Sequence, residues 1–347
     1  MSRLDVHVII TFEEVYGKDK LPENRLDCLK GTTKKGVLTR LSKINTIYLD
    51  QIYHTIIWDK QIQLLKAIFN NDLTKVENEI PSKFWRKVRQ YKERGATPSI
   101  FSRVSTLIGL EEILLSTLPN DGDDNLEPID FFMYCLLLNS YLNKYQNINS
   151  VDQSKILDLF PFFGPINEHT LPRYPFSELI RGLKLLKYFK SHNILKDRFL
   201  DFENEKGIEF EFFFLLILSV LSVETPSVGN LFNGRKSESF FQMLSENEVI
   251  RGRQLLEAIN IKRNSFYRYD DDNWFLMDYL YLVDNFFNSL ITTFWFEYLK
   301  PNNVISAKGY FGEIGLFFET YTCSILKNCF HFYKHPSALL LEQLKVK

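Results

Sequence analysis

The most apolar stretch of this chain, EFEFFFLLILSVLSVE at residues 209–224, limits what the chain can fold into. Its apolar centre, Phe212 to Val223, covers twelve residues and is interrupted by Ser219 and Ser222. A helix that crosses a bilayer needs roughly 20 mostly apolar residues. Glu209 and Glu211 stand on one side, and Glu224, Thr225 and Pro226 on the other. The segment is therefore expected as a helix buried inside protein, not in lipid. Residues 274–299 form a longer apolar run, but Asp278, Asp284, Asn285, Asn288 and Glu297 punctuate it, and no span is expected there either.

A chain that keeps out of lipid must bury its apolar side chains against each other. Hydrophobic residues make up 45% of the 347 and charged residues 24%, with 31 Phe and 17 Tyr. Aromatic side chains remove much apolar area from water, so the core can be large. Only 15 Gly and 12 Pro break the chain, which favours long helices over many short strands. The expected fold class is all-α: a multi-helix, bundle-like assembly with a long central C-terminal helix, Trp274 to Leu299. Asp271 or Asp272 would cap that helix at its positive end. Residues 161–175, PFFGPINEHTLPRYP, hold four prolines and mark a boundary between an N-terminal half, 1–160, and a C-terminal half, 176–347. One continuous domain is the alternative.

Local signals fill in this outline. Val6, Val8 and Ile10 alternate, and Phe12 and Val15 follow at helical spacing, so strand and helix both stay open at the N-terminus. Leu38, Leu41, Ile44 and Ile47 recur at three-residue steps and predict a helix after Gly36. Pro81 and Gly95 enclose another, SKFWRKVRQYKER. A further helix is predicted from near Pro98 to before Pro119, and Pro128 sits early in the next, where a missing N–H is harmless. Leu179, Leu183, Leu186 and Phe189 share one helix face.

The net charge of −1 gives no global pull toward nucleic acid. Cys28, Cys135, Cys323 and Cys329 do not have the spacing of a disulfide framework. The first residues carry no apolar signal region, so a reducing cytoplasm is the expected setting. A protein partner is expected, no cofactor, and no membrane association.

Lys83, Arg86, Lys87, Arg89 and Lys92 crowd one helix, interleaved with Trp85 and Tyr91. Cations neutralise phosphates and aromatics stack on bases, so this helix is the candidate for nucleic-acid contact. The plainer reading is a solvated face with Trp85 and Val88 inward. Cys323, Cys329, His331 and His335 supply zinc-type ligands, but C-x5-C-x-H-x3-H is not a standard finger spacing. On one helix only His331 and His335 share a face, so no metal is expected. GTTKKG, residues 31–36, lacks the order of a phosphate loop, and NDGDDNLE, residues 120–127, lacks that of a calcium loop. Asp278, Asn285, Ser289 and Thr292 fall on one stripe of the expected 274–299 helix, a polar seam that an enzyme could use.

Gly315, Phe318, Glu319 and Tyr321, within GYFGEIGLFFETYTCSIL at 309–326, form a G-x-x-F-E-x-Y pattern. The segment resembles helical regions just ahead of the nuclease core in some bacterial restriction and phage-defence proteins. The resemblance implies a defence or regulatory setting. In those proteins paired acids and a lysine on strands follow; this sequence stops at Lys347, and no catalytic residue carries over. The plainer reading is close helix packing at Gly312 and Gly315. With no catalytic constellation in view, the sequence favours a non-enzymatic helical interaction or recognition module. A nucleic-acid-binding protein using residues 83–94, and an enzyme whose site is assembled only in the fold, are the alternatives.

Overall fold

Sparse chain breakers and abundant apolar side chains produce a mostly helical protein with two small sheets among the described residues. The computed structural model describes residues 6–47, 58–120, 122–146, 175–207, 209–211, 231–233, 255, 260–261, 265–268, 273–278, 281–282, 287 and 290–330. The chain divides into two compact units, Met1–Pro175 with Val220–Leu282, and Phe176–Ser219 with Val283–Lys347. One crossing falls at the end of the proline-rich segment, whose residues 161–174 lie outside the described set. The N-terminal alternation and the helical spacing after it are both realised: strand β1 is Val6–Ile9 and helix α1 is Phe12–Tyr16.

In the first unit, α2 (Lys34–Ile47), α3 (Trp58–Ile68), α4 (Leu73–Glu79) and α5 (Ser82–Glu93) follow. Asp72 caps α4 by accepting from the Thr74 and Lys75 amides. Pro81 stands before α5, and Gly95, at φ +75°, ends it in the left-handed region that glycine adopts without strain. Strand β2, Ala96–Ser99, then pairs in parallel with β1, Val6 opposite Ala96 and Ile9 opposite Ser99. Helix α6 spans Arg103–Leu115 and α7 Pro128–Gln146, with Pro128 in its first turn. The helix expected from near Pro98 therefore starts later. Residues 96–99 complete β1, and Ser102 caps α6 by accepting from the Ser105 amide at 3.0 Å.

Buried polar side chains close the carboxyl ends of the parallel pair. The Gln61 side-chain carbonyl accepts from the Phe101 amide at 3.1 Å and from that of Ile100, and its amide donates to Ser99 Oγ at 2.7 Å. Asn139 donates to the carbonyls of Ile10 and Ile100. Backbone groups that leave the short ladder are thus paired without water. Helix α6 is buried on all sides from Arg103 to Glu111, as a core helix should be. A Cβ at Gly109 would stand 2.7 Å from Leu138 of α7 and 3.1 Å from Leu41 of α2. Gly109→Ala is therefore expected to destabilise the protein in urea titration by about 1–3 kcal/mol, the range for an overpacked core. A gain would show that α2 and α7 can spread.

The second sheet lies in the same unit. β3 (Leu231–Asn233) and β4 (Phe266–Arg268) each pair antiparallel with a central β5 (Asn273–Leu276). This corrects the expected helix from Trp274 to Leu299: its first residues are strand. Trp274 and Leu276 are buried two residues apart, the strand period. A dense apolar run hides which period it follows, and only the partner strands decide it.

In the second unit, α8 (Pro175–His192) and α9 (Lys196–Lys206) are joined by a short turn and followed by a π-helical segment, Phe294–Leu299, and α10 (Ala307–Phe330). Its core is aromatic. Phe199 stands edge-on to Phe294 at 5.1 Å and to Phe189 at 5.4 Å, and Phe189 contacts Phe317 of α10 at 5.3 Å. Leu179, Leu186 and Phe189 of the α8 face are buried, and Leu183 is partly so. The Lys190 ammonium pairs with Glu203 at 2.9 Å, and Glu203 also accepts from the Phe210 amide. Among the described residues no helix is long and apolar enough to cross a membrane. Most of the 209–224 stretch, residues 212–224, lies outside them.

Candidate functional site

Helix α10 carries two apolar stripes, offset by one residue. The inner stripe, Tyr310, Ile314, Phe317 and Tyr321, advances by four, three and four. Tyr310 and Phe317 are buried; Tyr321 meets Tyr188 of α8 edge-on at 5.4 Å. The outer stripe, Phe311, Gly315, Phe318, Thr322 and Ile325, has the same kind of spacing and is exposed along its length. Phe311 is 61% exposed and Ile325 42%. Leu316, one position beyond, is exposed as well.

The outer stripe borders a small apolar cleft of about 210 Å³ between α10 and the π-helical segment, lined by Trp295, Phe296, Tyr310, Phe311, Ile314 and Phe318, with Ile291 and Thr292. Trp295 stacks on Tyr310 at 5.0 Å, and the Tyr310 hydroxyl donates to the Ile291 carbonyl at 2.6 Å. Burial pushes the pKa of that phenol up, so the hydroxyl stays a donor at any physiological pH. The floor of the cleft is therefore fixed, while Phe296, 55% exposed, stands at its rim. The π turn carries the Lys300 amide to the Trp295 carbonyl at 2.9 Å, the wider bond that turns Trp295 in and leaves Phe296 out.

The close packing expected at Gly312 and Gly315 is not made among the described residues. Both glycines are exposed, and a Cβ built on either meets nothing within 4 Å. Phe318 and Glu319 of the same motif also face outward. The packing glycine of this turn is Gly309, where a Cβ would approach Ile305 at 2.9 Å.

On α5, Lys83, Arg86, Arg89 and Lys92 are exposed, and Lys87 is half-buried beside Glu14 at 3.9 Å. Phe84 and Val88 point into the core. Trp85 packs partly buried with its ring edge on Phe84, and the Tyr91 hydroxyl bonds to Glu14. Lys92 lies 4.7 Å from the centre of the Trp58 ring. The helix therefore offers cations to solvent, while its aromatics are engaged in the core and do not interleave with them.

The first residue of the polar seam expected on a 274–299 helix, Asp278, is not helical. Asp278 follows strand β5 in the first unit and is fully buried, whereas Thr292 is an exposed residue of the second; Asn285 and Ser289 lie outside the described residues. Asp278 instead holds a bidentate pair with Arg103 of α6, Nη1 to Oδ2 at 2.6 Å and Nη2 to Oδ1 at 2.9 Å. The Tyr281 amide donates to Oδ1 at 2.9 Å. Paired on every side in the core, this carboxylate holds the fold together.

Burial pushes up the thiols of the half-buried Cys28, to about 12, and of the fully buried Cys135, so neither is a thiolate near neutral pH. Cys323 is half-buried on α10; the Cys329 side chain, His331 and His335 lie outside the described residues. Among the described residues no group of three or more His, Cys, Asp or Glu could hold a metal ion. Sequence reasoning missed the outer stripe of α10, although its four-and-three spacing was visible. The inner stripe beside it is equally apolar, and only packing shows which of the two is covered. No family model, curated protein or solved structure matches this chain.

Proposed function

We propose that this protein is a non-enzymatic helical interaction module that docks an amphipathic helix of a protein partner along the outer stripe of α10. The observation that supports it is the exposed series Phe311, Gly315, Phe318, Thr322 and Ile325, repeating every three and four residues beside an apolar cleft. That repeat matches the seam by which one helix packs on another. Gly315 and Thr322 leave room between the bulky positions for a partner's side chains. Exposed aromatics at such a seam are the residue types that anchor interfaces.

The double variant Phe311→Ser/Phe318→Ser tests the reading. Each aromatic anchor is expected to cost at least about 2 kcal/mol of binding, roughly thirtyfold in affinity. Phe311 is 61% and Phe318 37% exposed, so circular dichroism should match the parent and urea stability should fall by no more than about 1–2 kcal/mol. Co-purification of a partner in the source cells, followed by calorimetry with that partner, measures the effect. Unchanged affinity in the double variant would remove the reading.

The exposed cations of α5 favour a second one, contact with nucleic acid. It expects a DNA or RNA mobility shift at low salt that Lys83→Ala/Arg86→Ala/Arg89→Ala abolishes. The near-neutral net charge and the buried Phe84 and Val88 side weigh toward a solvated face.

A further inference from the structure

The first unit contains an open cleft of about 870 Å³, between α2, α3, α4 and residues 122–128. Its volume is that of a small-molecule site, roughly 300–1,000 Å³. One face of α2 supplies Lys35, Thr39, Arg40 and Lys43, and α4 supplies Lys75. Among the described lining residues Asp124 and Glu127 are the carboxylates and Lys35, Arg40, Lys43 and Lys75 the cations.

Asp124 is already engaged. Its carboxylate accepts from the Thr32 hydroxyl at 2.8 Å, from Arg40 at 2.7 Å and from the Leu126 amide at 3.3 Å. Gly36 makes this approach possible, because a Cβ there would stand 2.6 Å from the Asp124 carboxyl carbon. Arg40 also donates to the Gly36 carbonyl at 3.3 Å, which fixes its guanidinium against the helix. The cleft thus has one oriented guanidinium, with the flexible ammonium groups of Lys43 and Lys75 exposed around it. Ala67 and Ile68 give the same cleft an accessible apolar side, with the buried Ile44, Leu64 and Leu126 behind them.

We infer that this cleft binds a small organic phosphate, its anionic end among Lys43, Lys75 and Arg40 and its apolar body against Ala67 and Ile68. Ammonium groups on flexible stems gather phosphate oxygens as point charges, and an anchored guanidinium adds directed donors. The inference concerns the first unit and does not depend on the α10 seam of the second.

Calorimetry of the full chain at low ionic strength, with adenosine monophosphate and with inorganic phosphate, tests it. The nucleotide should bind, and more tightly than phosphate, because only the nucleotide reaches the apolar side. Lys43→Ala/Lys75→Ala should weaken nucleotide binding by at least about tenfold, the loss of roughly one charge-assisted contact. Lys83→Ala/Arg86→Ala on α5 should leave it unchanged. The inference is overturned by any of four results: no binding of either probe, equal affinity for both, parental affinity in the Lys43/Lys75 variant, or a loss found in the α5 variant instead.

Discussion

Asp278→Ala is expected to destabilise the first unit by about 3–5 kcal/mol, the cost of removing one partner of a buried ion pair. Arg103 and Asp278 are 3% and 0% exposed and meet through two parallel hydrogen bonds. The pair lies 175 residues apart in sequence and fastens α6 to the segment after β5. Around it, Asn45 donates to Asp278 at 3.4 Å, Thr106 bonds to Asn45, and Ser42 donates to the Leu276 carbonyl. Without the carboxylate the guanidinium stays in the core, 5.6 Å from the centre of the Tyr281 ring, and loses its bidentate partner. Replacing both partners with apolar side chains, Arg103→Met/Asp278→Leu, should recover most of the loss, because no buried charge is then left. Urea unfolding followed by tryptophan fluorescence reads both variants; Trp274 is fully buried just before Asp278. A change below about 1 kcal/mol for Asp278→Ala would place this pair in the range of solvated surface pairs and contradict its burial.

The second large effect is expected at Phe199→Ala, about 3–5 kcal/mol from lost burial and the cavity left behind. Phe199 is fully buried and contacts four rings: Phe189, Phe202, Phe210 and Phe294. No neighbour can fill the gap without leaving its own ring contacts. The adjacent Leu200 is exposed, and Leu200→Ala should stay within about 0.5 kcal/mol. Trp295, stacked on Tyr310 in the same unit, reports the transition. Equal effects at 199 and 200 would mean that the aromatic core is not packed as described.

Helices with local punctuation could be read directly from the sequence. Pro81 and Gly95 bound α5, Pro128 opens α7, and the three-residue recurrence from Leu38 lies on α2. Strands β2 and β5 could not be read in the same way. β2 forms because residues 96–99 complete an edge presented by Val6–Ile9, and that pairing leaves no mark within its own four residues. β5 is the start of an apolar run whose period is masked by its own density. The Arg103–Asp278 pair was equally hidden, since a charge inside a helix and another in an apolar run gain meaning only when the fold brings them together. For the surfaces, the basic residues of α5 could be placed on an outward face, but the engagement of Trp85 and Tyr91 in packing required the neighbouring elements. On α10, glycines that suggest close packing by composition lie on the open side, because Tyr310 and Phe317 take the inner one.

The measurement closest to the central proposal is site-specific photo-crosslinking in the source cells, with p-benzoylphenylalanine placed at Thr322 in the outer stripe of α10. An exposed residue on the opposite side of the same helix, Thr320, serves as the comparison position. The proposal expects a crosslink from Thr322 that maps to an amphipathic helix of one partner, disappears in the Phe311→Ser/Phe318→Ser background, and is missing from Thr320. No product at Thr322, or the same products from both positions in either background, would contradict it.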